Sequence, residues 1–277
     1  MSRFLGSADG QYKSLKGKRV LITGGSAGIG KATAIGFSDN GAIVTITGRR
    51  QARLDAVTSQ LKQAYSIVAD LMDVSEAKRT IDEAVEKMGG LDILVNCGGV
   101  WTEAITGDHM GEQGFTDAFK MHIMTPVQLT EHAMPHLSKN KNGAVINLSS
   151  LSAIQVNPDS FAYNVAKAAM DHVTKTQARK YTKLGVRVNS VNPGYVDTEI
   201  FDVMVKDTGL TKEQLHEWAK TENELKQVCQ PEEIAGPILF LASDAASFIS
   251  GAHIPVCAAS QVQLELEDPT VFHANKK

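Results

Sequence analysis

The sequence predicts an α/β protein in which helices cover both faces of one doubly wound parallel sheet. Short apolar strands alternate with amphipathic helices along most of the chain. The predicted strand at residues 91–96 is apolar throughout, which is typical of a strand buried on both faces. No linker, internal repeat or low-complexity tract divides the 277 residues. We therefore predict a single domain over residues 1–277, with its core at residues 15–257.

The N-terminal part begins with a βαβ unit. Residues 19–23 are predicted as a buried strand, 28–38 as a helix and 43–47 as a second strand, and Asp39-Asn40-Gly41 is a helix-ending signal. Such a unit implies a parallel strand pair with a right-handed crossover. The same alternation predicts the next elements, which are a helix at 53–62, a strand at 66–69, a helix at 75–88 and the strand at 91–96.

The remainder of the chain continues this pattern. One long helix, or a broken pair, is predicted over residues 112–137, with an interruption near Thr125-Pro126. Residues 195–230 follow the carboxyl end of a strand, where α/β proteins place ligand-binding loops, so we predict a substrate-binding loop there. The other predicted segments are a strand at 144–148, a helix at 161–184, strands at 186–191 and 252–256, a helix at 231–243, and a polar C-terminal tail at 261–277.

The composition disfavours several classes of partner. A formal net charge of -3 and a pI near 6.2 provide no basic field for nucleic acid and no polybasic membrane anchor. No signal-type leader or run of about 18 apolar residues is found, so we expect a cytoplasmic protein with no membrane or nucleic-acid partner. Cys97, Cys229 and Cys257 form no Cys-x-x-Cys pair, which favours reduced thiols and no metal site.

Two motifs carry the predicted chemistry. Gly24, Gly28 and Gly30 lie between a strand and a helix, where glycine lets the backbone approach a pyrophosphate at the helix N-terminus; a plain tight turn is the alternative. Tyr163 and Lys167 are four positions apart and share a helix face, so the ammonium group would lower the pKa of the phenol. A second Tyr-x3-Lys, formed by residues 12–16, lacks an upstream serine and is expected at the surface.

These glycines, together with Ser150, Tyr163 and Lys167, resemble the short-chain dehydrogenase/reductase family in its single-domain form. Ser150 precedes Tyr163 by 13 positions, the usual family spacing, which selects it over Ser149 and Ser152. The resemblance implies a Rossmann-type fold and hydride transfer between a nicotinamide and a carbonyl or secondary alcohol. Ser150 would hold the substrate oxygen, Tyr163 would be the acid or base, and Lys167 would support Tyr163. Relatives pair through their long helices, so a homodimer or homotetramer is expected.

The resemblance also implies a cofactor site. Enzymes of this fold that use NAD generally carry a carboxylate after the second strand, where this chain has Arg49, so NADP(H) is favoured and NAD(H) remains open. A merely solvated arginine is the alternative. The predicted cofactor-binding residues are Gly24, Ser26, Gly28, Ile29, Gly30, Arg49, Asp70, Leu71, Asn96, Gly98, Tyr163, Lys167, Pro193, Gly194, Val196 and Thr198.

Some features leave alternatives open. His122 stands where the family usually has an asparagine that holds a proton-relay water beside a helix distortion; it could hold such a water, carry the proton or simply be packed. Cys97 replaces an amide that normally ties strands together, and residues 257–259 replace the usual Asp-Gly-Gly. Apolar loop residues favour a small hydrophobic substrate, and Trp101 is a candidate for the same cleft. An NAD-dependent alcohol dehydrogenase and a catalytically silent dinucleotide-binding regulatory protein are the alternative functions.

Overall fold

A parallel sheet of seven strands forms the centre of the computed structural model, which describes residues 12–99, 111–140, 142–156 and 160–262. The strand order is β3-β2-β1-β4-β5-β6-β7, and all neighbouring strands are parallel. The chain order reverses between β1 and β4, so their carboxyl ends diverge and leave a crevice. The strands are β1 (Arg19–Ile22), β2 (Ile43–Gly48), β3 (Ala64–Val68), β4 (Ile93–Asn96), β5 (Gly143–Leu148), β6 (Val186–Pro193) and β7 (His253–Val256).

Helices cover both faces of this sheet, which confirms the predicted fold class. Val20 and Ile22 contribute to one hydrophobic cluster and Leu21 to the other, and all three are fully buried. This two-sided burial explains the lack of polar alternation in the strands. No helix in the described part of the chain is long and apolar enough to span a membrane. The helices are α1 (Gly28–Asp39), α2 (Gln51–Thr58), α3 (Glu76–Met88), α4 (Glu112–Phe119), α5 (Thr125–Leu137), α6 (Phe161–Tyr181), α7 (Ile200–Thr208), α8 (Lys212–Thr221) and α9 (Pro231–Ala242).

The helix predicted over residues 112–137 is interrupted slightly earlier than expected. A π-helical turn, Lys120–Met124, joins α4 to α5 directly, with no loop between the two helices. Pro126 lies in the first turn of α5 and has no N–H to direct at the carbonyl four residues earlier, that of His122. The missing donor accounts for a wider turn just before the proline.

The segment at 195–230 is less irregular than predicted, because it contains α7 and α8. The Thr211 Oγ1 accepts from the Gln214 backbone N–H, and the Gln214 Oε1 accepts from the Thr211 backbone N–H, which forms a capping box at the start of α8. Phe201, Leu215 and Ala219 form a small buried cluster of their own. The segment is therefore a helical hairpin packed on its own apolar core.

Candidate active site

A cleft of about 440 Å³ opens at the carboxyl ends of the strands, above the reversal point of the sheet. Its size is within the range of small-molecule and cofactor sites. Its wall combines the β1–α1 turn, the ends of β2, β4, β5 and β6, and the start of α7. The predicted site residues on this wall are Gly24, Ser26, Gly28, Ile29, Gly30, Arg49, Asp70, Leu71, Gly98, Ser150, Tyr163, Lys167, Pro193, Gly194, Val196 and Thr198.

Asn96 lies behind the cleft rather than on its wall. Its amide Nδ2 donates to Asn147 Oδ1 at 2.9 Å, and Asn147 Nδ2 donates to Thr174 Oγ1 at 2.9 Å. These bonds tie β4 to β5 and to α6. The adjacent Cys97 is on the wall, and burial raises the pKa of its thiol to about 12, so the thiol stays neutral. These bonds support the site through the strands, and a contact of Asn96 with the cofactor stays a prediction.

The β1–α1 turn has the shape that a dinucleotide phosphate requires. Gly24 has a φ of +67°, and a Cβ on it would lie 2.8 Å from the Cα of Gly98. A Cβ on Gly30 would lie 2.3 Å from the Gly24 carbonyl oxygen. Only glycine fits both positions. The first turn of α1 lines the cleft and has no side-chain cap, so its backbone N–H groups suit an anion.

Tyr163 and Lys167 occupy successive turns at the start of α6. The Lys167 Nζ lies 5.4 Å from the centroid of the Tyr163 ring and donates to the Leu148 carbonyl oxygen at 2.9 Å. The Lys167 side chain is almost fully enclosed, with the residue 4% exposed. Burial lowers the pKa of its ammonium group to about 8, against opposing influences from Cys97 and Asp171. The phenol therefore has a cation beside it whose charge can change near neutral pH.

Ser150 follows the end of β5 and faces the same cleft. Its Oγ accepts from the Ser152 backbone N–H at 3.1 Å, and its carbonyl oxygen accepts from Asn192 Nδ2 at 3.1 Å. Ser149 also borders the cleft, but its Oγ donates to the Lys167 carbonyl oxygen at 3.2 Å. The structure therefore brings Ser150, Tyr163 and Lys167 together on one wall. The neighbouring Ser149 instead supports α6 through its hydrogen bond to the Lys167 carbonyl oxygen.

A partly buried polar network lies behind these three residues, and the sequence motifs did not indicate it. The Asp171 carboxylate accepts from Asn192 Nδ2 at 2.8 Å and from Ser190 Oγ at 3.3 Å. Ser190 Oγ also lies 2.7 Å from His253 Nδ1. Burial lowers the pKa of His253, while the charge of Asp171 opposes this shift. The network holds the Ser150 turn through Asn192. The sequence gives one local indication of this network, because Asp171 follows Lys167 by four positions in a predicted helix and therefore lies on the same face.

His122 lies in the π-helical turn and borders the cleft next to Tyr163. The centroids of their rings are 5.2 Å apart, and the ring planes meet edge to face at 87°. The residue is only 2% exposed. The helix is thus distorted at residue 122, as the resemblance implies for the asparagine of relatives, and the imidazole lies beside the phenol. A role for His122 in proton relay stays a prediction.

Comparison with known proteins identifies the family. A family model described as enoyl-(acyl carrier protein) reductase matches residues 24–258, which is most of the chain. The protein belongs to the short-chain dehydrogenase/reductase family. It is therefore an oxidoreductase of the kind that acts with a nicotinamide cofactor.

Several short-chain dehydrogenases/reductases are similar to this chain over nearly their whole length. A 3-oxoacyl-(acyl-carrier-protein) reductase of Thermotoga maritima is 31% identical over 246 residues, which cover 87% of this chain and 97% of the relative. An L-fucose dehydrogenase of Bos taurus is 30% identical, with 89% and 90% covered. The structure of L-sorbose reductase from Gluconobacter frateurii, complexed with NADPH and L-sorbose, matches with a TM-score of 0.84 and 27% identity, covering 92% of this chain and 100% of that one.

Proposed function

We propose that this protein is an NADP(H)-dependent oxidoreductase that interconverts a carbonyl and a secondary alcohol on a small, mainly hydrophobic substrate. The observation that carries the proposal is the shared cleft. Ser150, Tyr163 and Lys167 meet on one wall, and the glycine turn forms another part of the same surface. A bound nicotinamide supplies hydride chemistry, and the protein supplies orientation and proton transfer.

Each of the three residues has a defined task. The Ser150 hydroxyl holds the substrate oxygen beside Tyr163. The Tyr163 phenol donates a proton to that oxygen in reduction and accepts it in oxidation. The Lys167 ammonium favours the ionised phenol and binds the ribose next to the nicotinamide. Reduction is the favoured direction with NADP(H). The imidazole of His122, next to Tyr163, provides a path by which the site exchanges protons with water.

The preference for NADP(H) is supported by the end of β2. Arg49 and Arg50 are exposed there and line the cleft, and no carboxylate follows the strand at this point. A guanidinium group forms charge-assisted, bidentate hydrogen bonds with a phosphate. The NADPH complex of the L-sorbose reductase is consistent with this choice. Use of NAD(H) in alcohol oxidation is the alternative.

The proposed substrate class depends on the helical hairpin at 195–230. Phe201, Leu215 and Trp218 pack within the hairpin's own core. Ile200 and Val203 line the cleft and give it an apolar side. Trp101 lies outside the described residues. The relatives are named for a 3-oxoacyl chain, L-fucose and L-sorbose, so an apolar ketone and a polyol both belong in the substrate screen.

A homodimer or homotetramer is part of the same proposal. Met124, Phe161 and Val165 are exposed apolar residues on the helices by which relatives associate. Exposed apolar groups of this kind suit a subunit contact. The cytoplasmic location stays a prediction of the sequence.

The first experiment measures binding of NADPH and NADH by quenching of tryptophan fluorescence at matched ionic strength. We expect wild type to bind NADPH at least tenfold more tightly than NADH, and Arg49→Asp to remove that preference. Lys183→Asp makes the same charge change on an exposed residue outside the cleft and should change neither affinity. Equal affinity of wild type for both cofactors would direct the screen to NAD-linked alcohol oxidation.

Turnover is tested with an NADPH-coupled panel of 3-oxoacyl thioesters, aliphatic and cyclic ketones, and ketoses. Oxidation of NADPH with at least one ketone class supports the proposed enzyme. Tight, stoichiometric NADPH binding without oxidation across the panel would instead favour the dinucleotide-binding regulatory protein.

A further inference from the structure

An ion pair joins two distant parts of the cleft wall. The Arg53 Nη1 donates to both carboxylate oxygens of Glu199, at 2.6 and 2.8 Å. Arg53 lies in the first turn of α2, directly after the β2 end that carries Arg49 and Arg50. Glu199 immediately precedes α7, and both partners line the cleft. The pair therefore connects the proposed phosphate-reading end to the proposed substrate hairpin.

The residue next to Glu199 already touches the glycine turn. The Thr198 Cγ2 lies 3.0 Å from the position that a Cβ on Gly28 would take. The strand-like contact between Val196 and Cys229 fixes the base of the hairpin. The start of α7 is thus held from three directions, and the Arg53 contact is the one of these three that crosses to α2.

Glu199 differs from the other acidic residues at this end of the hairpin. Asp197 and Asp202 have Lys212 as a partner within the hairpin, with Nζ at 3.3 and 3.8 Å from their carboxylate oxygens. Glu199 instead reaches across to α2. An acid placed there lies within the group of arginines proposed to read a phosphate.

The charges around Arg53 allow a phosphate to replace Glu199. Within the described parts of the chain Arg49 and Arg50 make no ion pair, so Arg53 is the arginine of this group that is engaged by a carboxylate. The side chains of Arg53 and Glu199 are 39% and 55% exposed, and water weakens such a pair. A phosphomonoester carries a charge of about -1.5 to -2 at pH 7 and has three acceptor oxygens, more than one carboxylate offers.

We infer that Arg53 and Glu199 form a latch that holds the start of the substrate hairpin against α2, and that the 2'-phosphate of NADP(H) opens it by taking Arg53 from Glu199. The inference rests on the proposed NADP(H) preference. NAD(H) lacks that phosphate and leaves the latch closed. Glu199 is therefore a specificity-determining residue, which weakens phosphate binding and couples it to the freedom of α7.

The affinity test uses two probes without a nicotinamide, adenosine 2',5'-bisphosphate and adenosine 5'-monophosphate, with calorimetry on wild type and Glu199→Gln. Because the variant no longer competes for Arg53, we expect it to bind the bisphosphate three- to tenfold more tightly. Its affinity for the monophosphate should change less than twofold. Asp202→Asn removes a nearby negative charge without touching the latch, and it should alter both affinities less than twofold.

The loop test measures hydrogen exchange of the backbone amides at residues 199–208. In wild type, the bisphosphate should raise exchange of this segment to the level of Glu199→Gln alone, and the monophosphate should not. The charge-swapped variant, Arg53→Glu with Glu199→Arg, rebuilds the ion pair. It should keep exchange low and lose the response to the bisphosphate.

The outcomes separate this inference from the proposed function. If wild type prefers the bisphosphate but Glu199→Gln changes neither the affinity nor the exchange, the latch is overturned and the NADP(H) preference stands. If wild type binds both probes equally well, the NADP(H) preference fails and the latch fails with it.

Discussion

The two ends of the cleft are built by different physical means. At the proposed phosphate end, the glycine turn is shaped by its backbone, and the charged groups such as Arg49 and Arg53 are exposed to water. At the proposed catalytic end, Lys167 and Asn192 are buried polar groups held by hydrogen bonds. Screened charges are individually weak and exchangeable, whereas a desolvated charge must be compensated. The comparison predicts that steric substitutions have the larger effect at the proposed phosphate end and that electrostatic substitutions have the larger effect at the proposed catalytic end.

The largest effect is expected at the catalytic end. Tyr163→Phe removes the proton donor and keeps the ring, so we expect turnover to fall by about 10²- to 10⁴-fold while the NADPH affinity changes less than about threefold. The assay is the NADPH-coupled reduction of the best substrate in the panel. Tyr12→Phe alters the other Tyr-x3-Lys, which lies outside the cleft wall, and should leave turnover unchanged. Full activity of Tyr163→Phe would rule out its proposed role.

The next effect tests the backbone shape of the phosphate end. Gly24→Ala combines a left-handed φ with a backbone clash against Gly98, so NADPH affinity should fall more than about tenfold and the free energy of unfolding by about 2–4 kcal/mol. Gly89→Ala has a similar φ of +71° but nothing within 4 Å of its new Cβ. It should cost about 1–2 kcal/mol of stability and no affinity. Urea unfolding and fluorescence binding measure both, and equal losses in the two variants would contradict the steric explanation.

A smaller effect, on the free energy of unfolding, shows how much the burial of Lys167 destabilises the folded protein. Its pKa of about 8 in the folded protein is below the unfolded value of about 10.4, so the unfolded state binds more protons between these pH values and wild-type stability rises with pH there. At pH 7 the full penalty is present. Lys167→Met should therefore raise the free energy of unfolding by about 2 kcal/mol at pH 7, after loss of the bond to Leu148.

Urea unfolding at pH 7 and pH 10 checks this sign, because the gain from Lys167→Met should shrink at the higher pH. Lys175→Met changes an exposed lysine of the same helix and should alter stability little at either pH. A variant at 167 that is less stable than wild type at pH 7 would show that the buried ammonium stabilises the fold.

The smallest effect concerns His122. We expect His122→Leu to lower turnover about tenfold, or ~1.4 kcal/mol, and to change the pH dependence of turnover, while His122→Asn, which can still hold a water, retains most of it. Thermal unfolding of both variants measures their stability, which is compared with their turnover. If both variants lose stability but keep the wild-type turnover and pH profile, His122 is a packed residue.

Much of the phosphate end was predictable because its signals are local. The alternation of strands and helices and the glycine turn are each contained in about 30 residues of sequence. The proximity of Tyr163 and Lys167 also follows from helical spacing alone. The sequence did not indicate that the Asn96 amide faces Asn147, because a strand pattern does not say which partner a polar side chain meets on the neighbouring strand.

The remainder depends on contacts between distant parts of the chain. His253 and Ser190 meet through the pairing of β7 with β6, and no spacing in the sequence predicts this contact. No spacing predicts the contact of Arg53 with Glu199 either, because the two residues are 146 positions apart. The helices α7 and α8 were not predicted, because residues 195–230 were interpreted as a substrate-binding loop. Thr211 and Gln214 carry the capping-box pattern that could have indicated α8.

The glycine turn also bears on how the protein is made. The Thr23 Oγ1 accepts hydrogen bonds from the backbone N–H groups of Cys97 and Gly98, the second of these 75 positions later, and Gly98 packs against Gly24. Synthesis adds about 5–20 residues per second, so the first βαβ unit leaves the ribosome seconds before β4 can dock beside it. The nascent chain can therefore complete the glycine turn only after β4 has emerged, and a cofactor that binds there as proposed can assist folding only from that stage onward.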